Sequence, residues 1–140
     1  MALYDCYFFD AIARNYSEFQ PVMKTNSVKV VLVRPRIYIG DHIAIGPGKI
    51  DLLRKIQNTQ SISGAARELG MPYKRAWLLI DSLNQGFARP VVETASGGKG
   101  GGGTTLTQLG SQLITRYDAL EASLNAHAVE ELSEFRSLAD

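Results

Sequence analysis

Apolar residues recur at helical intervals three times through the middle of the chain, and each run is closed by residues that stop helices. Ile50, Leu53 and Ile56, with Leu52 alongside, make the first apolar face. Pro47 opens that run, and a proline fits the first helical turn because no N–H is needed there. Asn58 to Gln60 break it. Ser61 is the expected N-cap of a second, short helix, with Ser63 a nearby competitor. Ile62, Ala65, Ala66 and Leu69 supply its inner face, and Gly70 ends it. A third helix begins at Pro72. At about 100° per residue, Tyr73, Ala76, Trp77, Leu79, Ile80, Leu83 and Phe87 fall on one side, which predicts a buried stripe with Trp77 in the core. Lys74, Arg75, Asp81, Ser82 and Gln85 fall opposite, with Leu78 among them, either as an apolar contact for a thymine methyl or as a simple exposed leucine.

The pattern then changes period. Val91 to Ala95 and Thr104 to Thr107 alternate as short strands, with SGGKGGGG between them. Helix, tight turn, helix and glycine-tipped hairpin in that order describe a winged helix-turn-helix, which sets one helix in the DNA major groove and a loop beside it. The glycine run is not a Walker phosphate loop, since Lys99 is followed by Gly100 rather than Ser or Thr and a strand follows instead of a helix. A dinucleotide fingerprint fails on the missing helix as well. A flexible linker is the competing reading, and the alternation of the flanking runs argues against it.

Upstream, Ser27 to Gly40 reads as an edge strand or a bent hairpin, with Pro35 marking the edge or the bend. Within residues 1–26, Leu3, Tyr4, Tyr7, Phe8 and Phe9 are too apolar for a solvated tail, and Ala11 to Phe19 is a candidate short helix. They either dock on the body of the domain or a partner, or form an upstream extension. Downstream, Leu109, Leu113, Tyr117, Leu120, Leu124, Ala128, Leu132, Phe135 and Leu138 recur every three or four residues, with a break near Asn125 and His127. That stripe is longer than a small winged domain covers, so pairing with the same helix of a second subunit is expected, against a monomeric core helix. The fold class is therefore mainly α with a small β part. The expected divisions are an N-terminal extension over 1–26, the winged helix-turn-helix over 27–107, and a helical dimerisation segment over 108–140.

Charge refines this picture. The formal net charge is only +1, but eight basic residues face four acidic ones between Gly46 and Leu106. From Thr107 onward two basic residues face six acidic ones. A basic middle and an acidic tail suit a protein that meets phosphates with one part and something else with the other. Cys6 is the only cysteine, which excludes an intramolecular disulfide and a cysteine-based zinc cluster. No run is long enough to span a membrane, and MALYDCYFF makes a poor signal peptide, so the expected compartment is the cytoplasm. His42 and His127 lack a ligand cluster, and no nucleophile has an evident base and orienter. Neither an enzyme nor a cofactor is expected.

The blocks SISGAARELGM, YKRAWLLID, PVVETASGGKGGGG and LTQLGSQLITRYDALE together resemble the N-terminal DNA-binding domain of the ModE family, over about Gly46 to Leu120. These are bacterial molybdate-responsive transcriptional regulators with a LysR-like winged domain. TASGGKGGGG is the most specific block, because a generic winged domain does not need so many glycines around one lysine. The resemblance implies a homodimer on operator DNA, with molybdenum uptake genes as targets. By matching positions, Lys74 and Arg75 lie on the recognition helix, and Thr94, Ser96, Gly97, Gly98, Lys99 and Gly100 lie in the wing.

The expected DNA contacts are thus Ser61, Ser63, Pro72, Tyr73, Lys74 and Arg75 on the helices, together with those wing positions. Two departures limit the carry-over. The C-terminal Mop-type molybdate modules of full-length members have no counterpart here, so molybdate binding is not carried over and a stand-alone winged domain is expected. Pro72 stands where the family commonly has serine, which removes a cap and a phosphate donor from the recognition helix. The alternative function is a winged-helix protein-interaction module that does not bind DNA.

Overall fold

Gly40, Asp41 and His42 turn the chain back on itself and close the first hairpin. A computed structural model describes residues 31–95 and 103–139 of the protein. Strand β1 (Ile37–Ile39) pairs antiparallel with β2 (Ile43–Ile45), with Ile37 opposite Ile45 and Tyr38 opposite Ala44. The sequence suggested a longer strand or bent hairpin beginning at Ser27. Residues 27–30 lie outside the described region, and 31–36 form no strand.

Side chains of a later helix hold that segment instead. Asn125 accepts the Val33 N–H at 2.7 Å and returns an amide hydrogen to the Val33 carbonyl at 2.8 Å. The Tyr117 hydroxyl donates to the Pro35 carbonyl at 2.7 Å. Arg34 grips Asp51 with two bonds of 2.8 and 3.0 Å and reaches Glu121 at 3.4 Å. Burial works against the guanidinium charge, but the bonds and charges of Asp51 and Glu121 outweigh it and hold the proton more tightly than usual. A backbone partnered by side chains needs no ladder neighbour.

Helix α1 (Pro47–Thr59) starts on Pro47 as expected and buries Ile50, Leu52, Leu53 and Ile56 completely. Each such side chain stabilises the fold by about 1.5–3 kcal/mol relative to exposure. Helix α2 (Ile62–Glu68) is capped by Ser61, whose Oγ accepts the Gly64 N–H at 3.0 Å. Gly70 closes it in the left-handed region at φ +65°, with the Met71 N–H returning to the Ala66 carbonyl at 2.9 Å. That is a Schellman closure, and glycine adopts its backbone without steric cost. Helix α3 (Tyr73–Gly86) follows, with Pro72 as N-cap.

Strands β3 (Val92–Thr94) and β4 (Thr104–Leu106) pair antiparallel, Val92 opposite Leu106 and Thr94 opposite Thr104. The Asn84 side chain ties the end of α3 to this hairpin, accepting the Val91 N–H at 2.8 Å. Helix α4 (Gln108–His127) is capped by Thr107 and packs against α1 and β4. Its Tyr117 is enclosed among Leu53, Ile56 and the rest of the core. Gly110, in its first turn, lets the helix close onto Val91.

The chain forms two units. Val33–Val129 carries the helix-turn-helix, both hairpins and α4. In the other, the described residues are 31–32 and 130–139. These last belong to α5 (Val129–Ala139), which has Glu130 and Glu131 in its first turn and Arg136 in its last, an order that suits the helix dipole. Phe135 and Leu138 of this helix are exposed. The architecture is mainly α with two small antiparallel sheets, a winged helix-turn-helix arrangement.

Candidate nucleic-acid interface

Helix α3 turns one side to the core through Ala76, Ile80 and Leu83. Its opposite side is open, and Lys74 and Arg75 in the first turn are both exposed. Pro72 offers no side-chain cap, and its carbonyl takes the Arg75 and Ala76 amides at 3.0 and 3.2 Å. The amides of Tyr73 and Lys74 precede the first intrahelical bonds and point out of the helix end. Cations and amides therefore converge where an anion is favoured.

The aromatic residues of α3 correct the sequence reading. Tyr73 is 53% and Trp77 39% exposed, so neither belongs to the core stripe. On the helical wheel Trp77 lies roughly 100° from the middle of the buried arc, which puts it on the flank. Helix α2 is only seven residues long and turns Ile62, Ala65 and Ala66 inward, so it does not cover that flank. The two rings meet edge to face with centroids 6.4 Å apart, and Trp77 Nε1–H donates to the Tyr73 hydroxyl. Leu78 is 60% exposed, which fits its place on the outer face.

A cleft of about 430 Å³ lies between α3, the start of α2 and the base of the second hairpin. Ser61, Ser63, Tyr73 and Thr94, four of the residues expected to meet DNA, line it together. Gln60, Ile62, Trp77, Ala95, Gly103 and Thr104 complete its wall, none of them singled out as a contact by the sequence. Gln60 adopts the left-handed region at φ 53° and accepts the Thr104 N–H at 2.9 Å, which ties the hairpin to the helix-turn-helix. No local pattern marks either residue, because the bond joins positions far apart in sequence. Ser61 Oγ, already occupied by Gly64 N–H, shares a 3.2 Å hydrogen bond with Ser63 Oγ. Ser96, Gly97, Gly98, Lys99 and Gly100 lie outside the described residues. The strands on either side of that segment are in place, closed by a 2.8 Å bond from Ala95 N–H to the Gly103 carbonyl.

Charge on the unit is sorted by geometry. Arg54 pairs with Asp118, and Lys55 pairs with Glu68 at 3.3 Å. Lys49 turns inward to the Ala44 carbonyl and Ser82, and burial, with Arg36 nearby, lowers its pKa. Arg36, Arg67, Lys74, Arg75, Arg89 and Arg116 of this unit are exposed. No cluster of three or more His, Cys, Asp or Glu among those residues is arranged to hold a metal. None of their helices is long and apolar enough to cross a membrane.

No family model matches the chain. It is 48% identical over 80 residues to the molybdenum-pterin-binding protein MopB of Rhodobacter capsulatus, a match covering 57% of this chain and 30% of that protein. It is 44% identical over 88 residues to the DNA-binding transcriptional dual regulator ModE of Escherichia coli (strain K12), covering 63% of this chain and 33% of the regulator. The molybdenum transport protein ModE of Azotobacter vinelandii is 38% identical over 91 residues, 65% of this chain and 33% of that protein. The chain spans about a third of the length of the curated relatives it matches.

Proposed function

Starting from the premise that this chain is a relative of the ModE proteins over the matched part of its length, we propose that it is a sequence-specific DNA-binding transcriptional regulator acting as a homodimer. Helix α3 enters the major groove, with Lys74 and Arg75 on phosphates or guanine edges. Ser61 and Ser63 face the sugar–phosphate backbone, and the Lys99 loop lies on the backbone or in the minor groove. The exposed Leu120 and Leu124 on α4 supply surface for a second subunit. The names of the relatives make molybdenum transport genes the expected targets. The cytoplasm is where such a protein meets its DNA. Molybdate sensing is not part of the proposal.

One observation carries this reading. An uncovered α3 first turn with two cations stands beside a hairpin base, and the turn residues of the helix-turn-helix line the cleft between them. Footprinting on the DNA upstream of the protein's own gene tests it. A protected pseudo-palindrome with half-sites about one helical turn or a multiple apart is expected. A cleavage ladder unchanged at saturating protein contradicts it.

A further inference from the structure

We propose that the cleft between Tyr73, Trp77, Ser63 and Thr94 is the seat of one deoxyribose-phosphate unit of the DNA backbone. In this seat Trp77 acts as a positioning residue that fixes the Tyr73 hydroxyl as a phosphate donor. The inference rests on the DNA-binding reading and adds a defined subsite to it.

Hydrogen-bond polarity at the cleft carries the argument. Trp77 Nε1–H donates to the Tyr73 hydroxyl, so an inner donor already fills a lone pair of that oxygen. An indole N–H can only donate, so the direction of this bond is fixed. The hydroxyl proton of Tyr73 is left for an outside acceptor. Ser63 has the same logic available. Gly64 N–H fills Ser61 Oγ, and Ser61 can pass its own proton to Ser63 Oγ, which leaves the Ser63 proton pointing outward. The Tyr73 relay thus ends in an O–H at the cleft, the serine pair supplies a second when Ser61 is the donor of its bond to Ser63, and such chains strengthen when the last member meets an anion. Phosphate oxygens of DNA are commonly bound by neutral Ser, Thr and Tyr donors of this kind.

The walls fit the rest of a nucleotide backbone unit. With its only polar hydrogen engaged by Tyr73, the Trp77 ring offers a purely apolar surface suited to a deoxyribose. Trp77 sits one helical turn after Tyr73 on the groove-reading helix, so a backbone unit seated here is adjacent to Lys74 and Arg75. Thr94 and Ala95 close the opposite side from β3 and its end. A wide-open aromatic pair on a small domain would otherwise expose apolar surface to no purpose.

Trp77 is the only tryptophan of the chain, so its emission reports this cleft and nothing else. The test titrates the whole protein with labelled duplex DNA, following label anisotropy and Trp77 emission together. The expected result is that both curves move in step and that bound DNA protects Trp77 from iodide quenching. Tyr73→Phe should weaken binding by about tenfold for every sequence, the loss of one bond to a charged oxygen, with the salt slope unchanged. Ser63→Ala should act in the same direction. Trp77→Phe, which keeps an aromatic wall for the sugar and removes the N–H, should weaken binding too, and the Tyr73→Phe/Trp77→Phe double variant should be no weaker than the worse single variant, because the lost N–H acts through the hydroxyl. Circular dichroism of each variant checks that folding is intact. If duplex binds while Trp77 emission and quenching stay still and Tyr73→Phe binds like wild type, the subsite is wrong and the DNA-binding reading survives. If wild type binds no duplex, both fall. Millimolar inorganic phosphate alone should leave the emission unchanged. A response as large as that to duplex would overturn the backbone assignment in favour of a free-oxyanion site.

Discussion

The backbone N–H of Thr104 donates to the carbonyl of Gln60 at 2.9 Å, so the returning strand of the hairpin is bolted to the turn that opens the helix-turn-helix. Gln60 reaches this position only by taking a left-handed backbone, φ 53°, the one positive φ among the described non-glycine residues. Glycine takes that conformation without the Cβ penalty. Gln60→Gly should therefore raise stability by about 0.5–1 kcal/mol, read as a higher denaturation midpoint at unchanged m-value.

Gly110 and Gly70 should respond differently to alanine. A Cβ at Gly110 would stand 2.4 Å from the Val91 carbonyl oxygen, with backbone on both sides of the clash. Helix α4 would have to move off β3, so Gly110→Ala should cost upwards of about 3 kcal/mol. At Gly70 nothing lies within 4 Å and only the φ of +65° resists. Gly70→Ala should cost about 1–2 kcal/mol. Chemical denaturation of the two variants side by side checks the order.

Removing the Asn125 amide should release residues 33–36. Asn125→Ala deletes both bonds to Val33 and the 2.8 Å bond to the Glu121 carbonyl. A loss of about 1–3 kcal/mol is expected. Hydrogen exchange at Val33 should accelerate while amides in α1 stay protected.

Tyr117 should make the fold sensitive to alkali. Burial, then the Glu121 charge, pushes its phenol up to about 12 from an ordinary 10.0. The folded state therefore keeps the proton longer than the unfolded chain does. Its contribution is complete below about pH 10 and is lost as pH rises through about 12, by an amount of order 2 kcal/mol. Melting temperature followed across that window should fall. Tyr117→Phe should flatten this part of the fall, while costing about 1 kcal/mol at neutral pH for the bond to Pro35.

Lys99 and Arg75 should separate affinity from specificity. Lys99→Ala should weaken binding to all duplexes alike and lower the salt slope by about one. Arg75→Ala should also relax base preference at the positions it reads, which competition with mutated half-sites would reveal.

Local signals were readable in the chain. Pro47, the Ser61 cap and the Gly70 closure each act within a few residues, and each stands where spacing placed it. The glycine-tipped hairpin was legible from alternation, and its paired strands match the two runs within a residue or two. Periodicity alone misjudged Tyr73 and Trp77, because it gives the direction of a helix face but not how much of the arc a neighbour covers. Helix α2 is too short to cover the Trp77 flank. The Arg34–Asp51–Glu121 group and the Asn125 clasp on Val33 join distant segments, so no local pattern announced them. Within the described part of the strand expected from Ser27, only Ile37–Ile39 forms one, since α4 side chains satisfy the backbone at Val33 and Pro35 before it.

The most direct test of DNA binding is the salt dependence of affinity for labelled duplex DNA, measured by anisotropy for the wild type and for Lys74→Ala and Arg75→Ala. Affinity should fall linearly on a log–log plot, and each variant should lower the slope by about one. Binding no tighter than about micromolar, with no salt dependence in any of the three proteins, would contradict the account and point to a winged domain that serves protein partners instead.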